Sequence, residues 1–160
     1  MNQGNDISYV VANSKQQFDD SRKLFEEYAN TLDFDLGFQN FKEELENLDK
    51  QYNTPGGGLI LAYSNNIAVG CVAVRRIEEN IAELKRLYVQ PAFRQFKIGL
   101  KLLEQAIDLA KQSQYHYIRL DTAPNQQKAH KLYHSLGFYE IKPYRFNPVE
   151  GTIYMEKKLN

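Results

Sequence analysis

Cysteine is almost missing from this chain: 160 residues hold one, Cys71. That excludes an internal disulfide and a thiolate-built zinc site, and it fits a reducing compartment. A surplus of charge is missing too, since twenty basic and twenty acidic residues cancel. No overall field exists to hold nucleic-acid phosphates or an anionic membrane surface, so neither is expected as a partner. The three histidines, His116, His130 and His134, stand without a Glu or Cys at metal-binding spacing, and no metal site is expected. Long hydrophobic runs are also absent. The first residues, MNQGND, lack the basic start and apolar run of a signal peptide, and stretches such as GLILAY are far too short to cross a bilayer. The expected location is the cytoplasm. No internal repeat or low-complexity segment interrupts the chain.

What is present suffices for one core, because 42% of the residues are hydrophobic in a chain of single-domain length. The spacing predicts a disordered N-terminus over 1–6 and one domain over 7–160. A strand is expected from Ile7 to Ala12, then a helix capped by Ser14 with Phe18, Leu24, Phe25 and Tyr28 at helical spacing. Phe38, Phe41, Leu45 and Leu48 predict a second helix, which TPGGG at 54–58 stops. GLILAY, IAVGCVAVRRI and IAELKRLYV then read as three successive antiparallel strands separated by polar turns. Beyond Pro91, Gly99, Leu102, Leu103, Ala106, Ile107 and Ala110 trace one face of a central helix running from Lys97 to Gln112. The strand HYIRLDT follows, then a helix opened by Pro124 and Asn125 and closed by Gly137, and a last hairpin of FYEIKPY and TIYMEKK. The expected class is α/β (α+β): a mixed, mostly antiparallel sheet flanked by helices, with a central β-α-β crossover.

The central helix begins in an unusual way. Helix N-termini expose unpaired amides and partial positive charge, and they normally carry a Ser, Thr, Asp or Asn cap with acidic residues in the first turn. The segment RQFKIGLK has neither; Arg94, Lys97 and Lys101 add positive charge where the helix already supplies it. That pattern suits an anion held by backbone amides and side-chain cations together.

These residues bring the sequence into line with a known group: it resembles the GNAT superfamily of acyl-CoA transferases, and especially its bacterial members. The cofactor motif Q/R-x-x-G-x-G/A is matched at Arg94 and Gly99 around Ile98, with Lys97 where the motif has its first glycine and Gln95 where many members carry a further one. A second signature, A-x-x-L-Y-x-x-x-G-F, is present as Ala129, Leu132, Tyr133, Gly137 and Phe138, and GCVAVR, ELKRLYV and LDT occur in succession. The order of elements agrees along most of the chain.

The resemblance implies an acetyl-CoA-dependent N-acetyltransferase acting on a primary amine of an unidentified small molecule or peptide, by direct attack in a ternary complex. It implies that Leu87, Tyr88 and Val89 pair through their main chain with the pantetheine arm, much as an added strand does. The amides from Gln95 through Phe96, Lys97, Ile98 and Gly99 to Leu100 would hold the pyrophosphate with Arg94 beside them, and Asn125 or Gln126 would lie on the adenosine side. Tyr133 occupies the position that protonates the departing thiolate in many members, and Glu83 the position of a general base, acting directly or through water. Without the motif, Tyr133 reads as a core residue of a helical stripe and Glu83 as a strand-face charge. A homodimer is compatible with this reading, and the alternative is a non-catalytic acyl-CoA-binding module. One further pattern concerns the acceptor. Between Asp19 and Asp49 stand ten acids and three bases, which points to a cationic or amine-bearing acceptor, with Asp33 and Asp35 near it. Arg75, Arg76, Lys85 and Arg86 read first as strand-face charges, any one of which could instead meet an acceptor carboxylate.

Overall fold

The computed structural model describes residues 6–32 and 35–160, with backbone alone at 38 and 39. The expected disordered segment, all but Asp6, and Asp33 lie outside the described residues, as does the side chain of Phe38. Seven strands form one sheet in the order β1-β2-β3-β4-β5-β7-β6. They are β1 (Ile7–Val11), β2 (Gly58–Ser64), β3 (Ile67–Glu78), β4 (Ile81–Val89), β5 (Tyr117–Thr122), β6 (Tyr139–Ile141) and β7 (Ile153–Lys158). Every neighbouring pair is antiparallel except β4 with β5, which is joined through a helical crossover. The three meander strands fall where their apolar runs predict, and the last hairpin inserts β7 between β5 and β6.

Helix α1 (Lys15–Thr31) starts where Ser14 accepts the Gln17 amide, as the sequence suggests. The second predicted helix is broken: a 3-10 turn (Leu36–Gln39) leads into α2 (Phe41–Glu46) and α3 (Leu48–Gln51). The break falls at Asn47, whose side-chain amide donates to the Glu43 carbonyl, a local alternative to continuing the helix. These helices cover one face of the sheet through Leu24, Phe25, Leu48 and Tyr52, which pack on Leu59, Leu61, Cys71 and Tyr88. The other face is covered by α4 (Ile98–Gln112), with α5 (Gln127–Ser135) beside it. There Ile98, Leu102, Leu103, Ala106, Ile107 and Ala110 pack on Ile60, Val72, Val74, Ala82 and Ile118. Each large side chain so buried contributes about 1.5–3 kcal/mol. Close approach of α4 needs Gly70, where an added Cβ would stand 3.1 Å from Leu102 Cδ1 and 3.2 Å from the Tyr88 carbonyl oxygen.

The two parallel strands separate almost at once. β4 and β5 are paired only at Ile81–Tyr117, Ala82–Ile118 and Glu83–Arg119, while β5 stays on β7 as far as Thr122–Ile153. On the other side of β4 the register with β3 jumps from Cys71–Tyr88 to Ala73–Lys85, a bulge that sets Arg86 and Leu87 against Val72 alone. Arg86, inside it, has a left-handed φ of 61°. The bulge bends β4 away from β5, and a slit opens through the sheet.

Candidate active site

The slit is part of a cleft of about 740 Å³, the size of a small-molecule site. Its β4 wall runs from Leu84 to Val89, and its β5 wall from Leu120 to Ala123. Leu84, Val89, Leu120 and Tyr133 belong to the core under α4, whereas Tyr88 belongs to the core under α1. The cleft therefore passes from one face of the sheet to the other. On the α4 side it is bounded by Arg94, Gly99, Asn125, Gln126, Ala129 and Leu132; on the α1 side by Tyr28, Thr31, Leu36, Lys85, Arg86, Asp121, Asn147 and Thr152.

On the α4 side the helix start matches the sequence expectation. Lys97 takes the N-cap position at φ 58°, ψ 26°, without a side-chain cap and with no acid in the first turn. The Lys101 amide is the first to bond back, to the Lys97 carbonyl at 3.2 Å. The amides of Ile98, Gly99 and Leu100 are the helix's orphan donors. Gln95 and Phe96 lie in the preceding 3-10 turn (Pro91–Phe96). Arg94 donates from Nε to the Val89 carbonyl at 2.9 Å and lies 5.9 Å from the Tyr88 ring, which fixes it at the mouth of the cleft. Of the residues expected at the cofactor, Leu87, Tyr88, Val89, Arg94, Gly99, Asn125 and Gln126 line the cleft. Ile98 turns its side chain into the core, and Phe96 packs against Phe93, so at those positions only the main chain is available to a ligand. Past Glu83, the main chain of β4 has no partner on β5; a polar backbone left open in this way calls for one.

Tyr133 stands at the crossing point. Its ring packs on Phe138 at 5.6 Å, and the residue is 5% exposed. Among the described residues its hydroxyl has no hydrogen-bond partner, and it borders the cleft. Burial pushes its pKa up, with Tyr28 and Asp121 adding to the effect from across the sheet. The hydroxyl is thus a held donor.

The α1 side is a charged floor. Glu83 is 0% exposed and does not border the cleft. Its Oε1 accepts from Arg75 Nε at 3.0 Å, and its Oε2 accepts from the Tyr144 hydroxyl at 2.7 Å and forms an ion pair with Arg145 Nη1 at 3.0 Å. Arg145 also holds Asp121, donating from Nη2 at 2.9 Å and Nε at 3.2 Å, and Asn147 Nδ2 reaches Asp121 at 3.1 Å. Glu83 therefore connects to the cleft through Arg145 and Asp121. Burial, reinforced by the Glu83 charge, pushes the Tyr144 hydroxyl far up and keeps it a donor. A second buried pair joins α2 to the bulge: Glu44 accepts from Arg86 at 2.7 and 3.0 Å and from the Tyr52 hydroxyl at 2.8 Å. Burial opposes ionisation of Glu44, but the Arg86 hydrogen bonds and charge outweigh it and hold the carboxyl below its usual range.

Several acids of the α1–α2 segment are engaged within the fold. Asp19 pairs with Lys15 and Arg22, Asp20 accepts from Tyr63, Glu27 from Tyr88 and Gln90, and Asp35 from the Gly37 amide. None of the described ones borders the cleft; Asp121 does, and so do the cations Lys85 and Arg86. Asp121, Asn147 and Thr152 were not singled out as site residues from sequence, because contacts spanning about 25 positions leave no periodic trace. Among the described residues no group of His, Cys, Asp and Glu is arranged to hold a metal, and no helix is long and apolar enough to cross a membrane.

A slit through a sheet with open backbone on one wall, a helix start offering orphan amides beside it, and a buried hydroxyl at the crossing define a class. It is an enzyme that carries a group on a long phosphate-bearing arm to a second molecule entering from the other face. The comparisons with known proteins make this specific: residues 18–138 match the acetyltransferase (GNAT) family, and the chain belongs to that family. An uncharacterized N-acetyltransferase of Schizosaccharomyces pombe is 35% identical over 156 residues, covering 96% of each chain. A GNAT-family acetyltransferase from Staphylococcus aureus superposes with a TM-score of 0.81 at 25% identity, covering 96% of this chain and 99% of that one. A protein from Salmonella typhimurium, solved with its cofactor acetyl-CoA, superposes with a TM-score of 0.68 at 18% identity over 97% and 95% of the two chains. The protein is an acyltransferase, and acetyl-CoA is the cosubstrate that membership of an acetyltransferase family implies. The cleft fits that cosubstrate, with open β4 backbone for the pantetheine amides and orphan amides for the pyrophosphate.

Proposed function

We propose that the enzyme transfers the acetyl group from acetyl-CoA to a primary amine of a small molecule or peptide, by direct attack of the neutral amine on the thioester in a ternary complex. The observation that carries this reading is Tyr133, buried where the two halves of the cleft meet, its hydroxyl without a partner among the described residues. Acetyl-CoA enters on the α4 side, its main-chain partners being Leu87, Tyr88 and Val89, its pyrophosphate at Gln95–Leu100 with Arg94, and its adenosine end toward Asn125 and Gln126. The acceptor enters from the α1 side. Proximity supplies much of the acceleration. As the C–S bond breaks, the Tyr133 hydroxyl donates a hydrogen bond to the sulfur; its raised pKa keeps the proton in place until the thiolate has formed.

An aliphatic ammonium must lose a proton before it attacks, and the floor offers two carboxylates. Both Glu83 oxygens are engaged by arginine or tyrosine, and Arg145, held charged by Glu83 and Asp121, passes no proton between them, so a base role for Glu83 runs through water. Asp121, which borders the cleft, is the nearer acceptor. Tyr133→Phe should lower kcat about 10²- to 10⁴-fold, the usual span for a general acid, while acetyl-CoA affinity and melting temperature change little. A Tyr133→Phe protein as fast as the wild type returns the tyrosine to the core. With the carboxylates as bases, Glu83→Gln and Asp121→Asn should each cost most at low pH and recover as rising pH frees the amine unaided; a pH–rate profile lowered uniformly would show the carboxylates to be structural.

The buried single cysteine fits a cytoplasmic enzyme. A homodimer is the proposed assembly, to be checked by sedimentation equilibrium.

A further inference from the structure

Lys85 is the one ammonium on the β4 wall of the cleft, and its side chain is 5% exposed. Long cationic side chains are seldom buried so deeply unless they are paired. The nearest carboxylate, Glu44 Oε1, lies 3.9 Å away, and the Glu44 oxygens already accept two hydrogen bonds from Arg86 and one from Tyr52. Among the described residues Lys85 Nζ donates no hydrogen bond. The surrounding charges do not balance it. Among the described residues on this face, Arg75, Lys85, Arg86, Arg119 and Arg145 stand against Glu44, Glu83, Asp121 and Glu156, one positive charge in excess. Two further charges offset each other: Arg94 at the mouth of the cleft, fixed on the Val89 carbonyl, and Glu27 of α1 outside the cleft, engaged by Tyr88 and Gln90. A buried cation whose one carboxylate neighbour stands beyond hydrogen-bond reach and is shared with Arg86 and Tyr52 is under-compensated, and it either sheds its proton or takes up an anion. Burial and the neighbouring Arg86 lower the Lys85 pKa to about 8, against the opposing pull of Glu44 and Glu83. At neutral pH the ammonium remains the main form. The position is therefore charged, dry, open to the cleft and short of one anion.

We propose that Lys85 receives a carboxylate of the acceptor, so that the substrate is an amino acid or a similar amine bearing a carboxylate close to its nitrogen. The charge of Arg86 is matched by Glu44 through Nε and Nη2, so the uncompensated charge on the β4 wall is the single Lys85 ammonium, which matches a singly charged carboxylate better than a doubly charged phosphate. Across the slit, Asp121 borders the same space on β5. A cation on one wall and an anion on the other suit a zwitterion, whose carboxylate meets Lys85 while its ammonium approaches Asp121 and the thioester. Polyamines, which the acid-rich α1–α2 segment taken alone would favour, have no counterpart for Lys85.

The inference rests on the acetyl-transfer reading, and the experiment separates the two. Thiol release from acetyl-CoA is measured with the twenty common L-amino acids, their carboxamides and the corresponding decarboxylated amines, for wild type, Lys85→Met and Lys85→Arg. The expected result is a preferred amino acid whose carboxamide is about 10- to 100-fold poorer in kcat/KM, the effect of one charge-assisted hydrogen bond. Lys85→Met should lose that margin on the acid and leave the carboxamide rate near wild type; Lys85→Arg should retain part of it. Acetyl-CoA binding, followed by calorimetry, should be unchanged in both variants and so report an intact fold. Equal wild-type rates with acids and carboxamides, or a Lys85→Met protein slowed on all acceptors alike, would overturn the proposal. Thiol release from none of the amines, with acetyl-CoA bound, would instead count against acetyl transfer to such acceptors. A binding measurement then decides Lys85 by itself. In the CoA-saturated enzyme at pH 8.5, a carboxylate docking on Lys85 restores its proton, so amino acids should bind with proton uptake in wild type and without it in Lys85→Met. No uptake with any of the twenty amino acids would overturn the assignment.

Discussion

Lys97 occupies a position where backbone geometry and ligand chemistry pull in different directions. Its φ of 58° is left-handed, a conformation that costs an L-residue about 1–2 kcal/mol and glycine nothing. Glycine loses more chain entropy on folding, which offsets part of the difference. Lys97→Gly should therefore raise unfolding stability by about 0.5–1 kcal/mol in a denaturant titration. If the ammonium also meets the cofactor pyrophosphate, the same variant should bind acetyl-CoA more weakly and with a shallower salt dependence. A more stable variant that binds acetyl-CoA equally well would confine Lys97 to its backbone role. The sequence showed the departure from glycine, and the structure shows the price in dihedral angle.

At the scale of elements, the legible parts were those with a period. Alternating and continuous apolar runs marked β2, β3 and β4, and the stripe from Leu102 to Ala110 marked α4 within a residue of its bounds. The chemistry of the helix start was legible as well, because a missing cap is a local property. The break between α2 and α3 was not, since it depends on an Asn47 side-chain bond that competes with the helix. Nor was the loop from β6 to β7, whose Tyr144, Arg145 and Asn147 return to Glu83 and Asp121 across the sheet. Glu83 itself was visible as a residue, but its enclosure by Arg75, Tyr144 and Arg145 follows from strand pairing and burial. The packing of α4 gives a sharp test of an element. Gly70→Ala sets a methyl group 3.1 Å from Leu102 Cδ1 and 3.2 Å from the Tyr88 oxygen, overpacking that typically costs 1–3 kcal/mol. Thermal melts should show the loss, and Gly70→Ala combined with Leu102→Ala should cost less than the sum of the two separate costs; simple additivity would mean that the two positions do not share the space.

For the whole molecule, the buried ion pairs set the response to acid. Glu44 is held below its ordinary value of 4.5 in the folded protein, so the unfolded chain takes its proton first as the pH falls. Stability from this group is complete above about pH 4.5 and is lost as the pH drops through the lower folded value. Glu44→Gln should flatten the acid limb of a stability–pH curve. It should also cost about 3–5 kcal/mol at neutral pH, because Arg86 is left buried without its counter-charge. An unchanged acid limb would assign acid sensitivity to other carboxylates.

The slit has a mechanical meaning as well. Within the β-ladder only three residue pairs, from Ile81 to Glu83 on β4, join β1-β2-β3-β4 to β5-β7-β6. The sheet is thus two panels on a short hinge, and acetyl-CoA lying along the gap as proposed would act as a removable clasp. Without it, amides from Leu84 to Val89 and from Leu120 to Thr122 should exchange with deuterium ahead of those in β2 and β3, and saturating acetyl-CoA should slow them together. In such a protein the cargo of the reaction is also a part of the frame, fitted at the start of each turnover and withdrawn at its end.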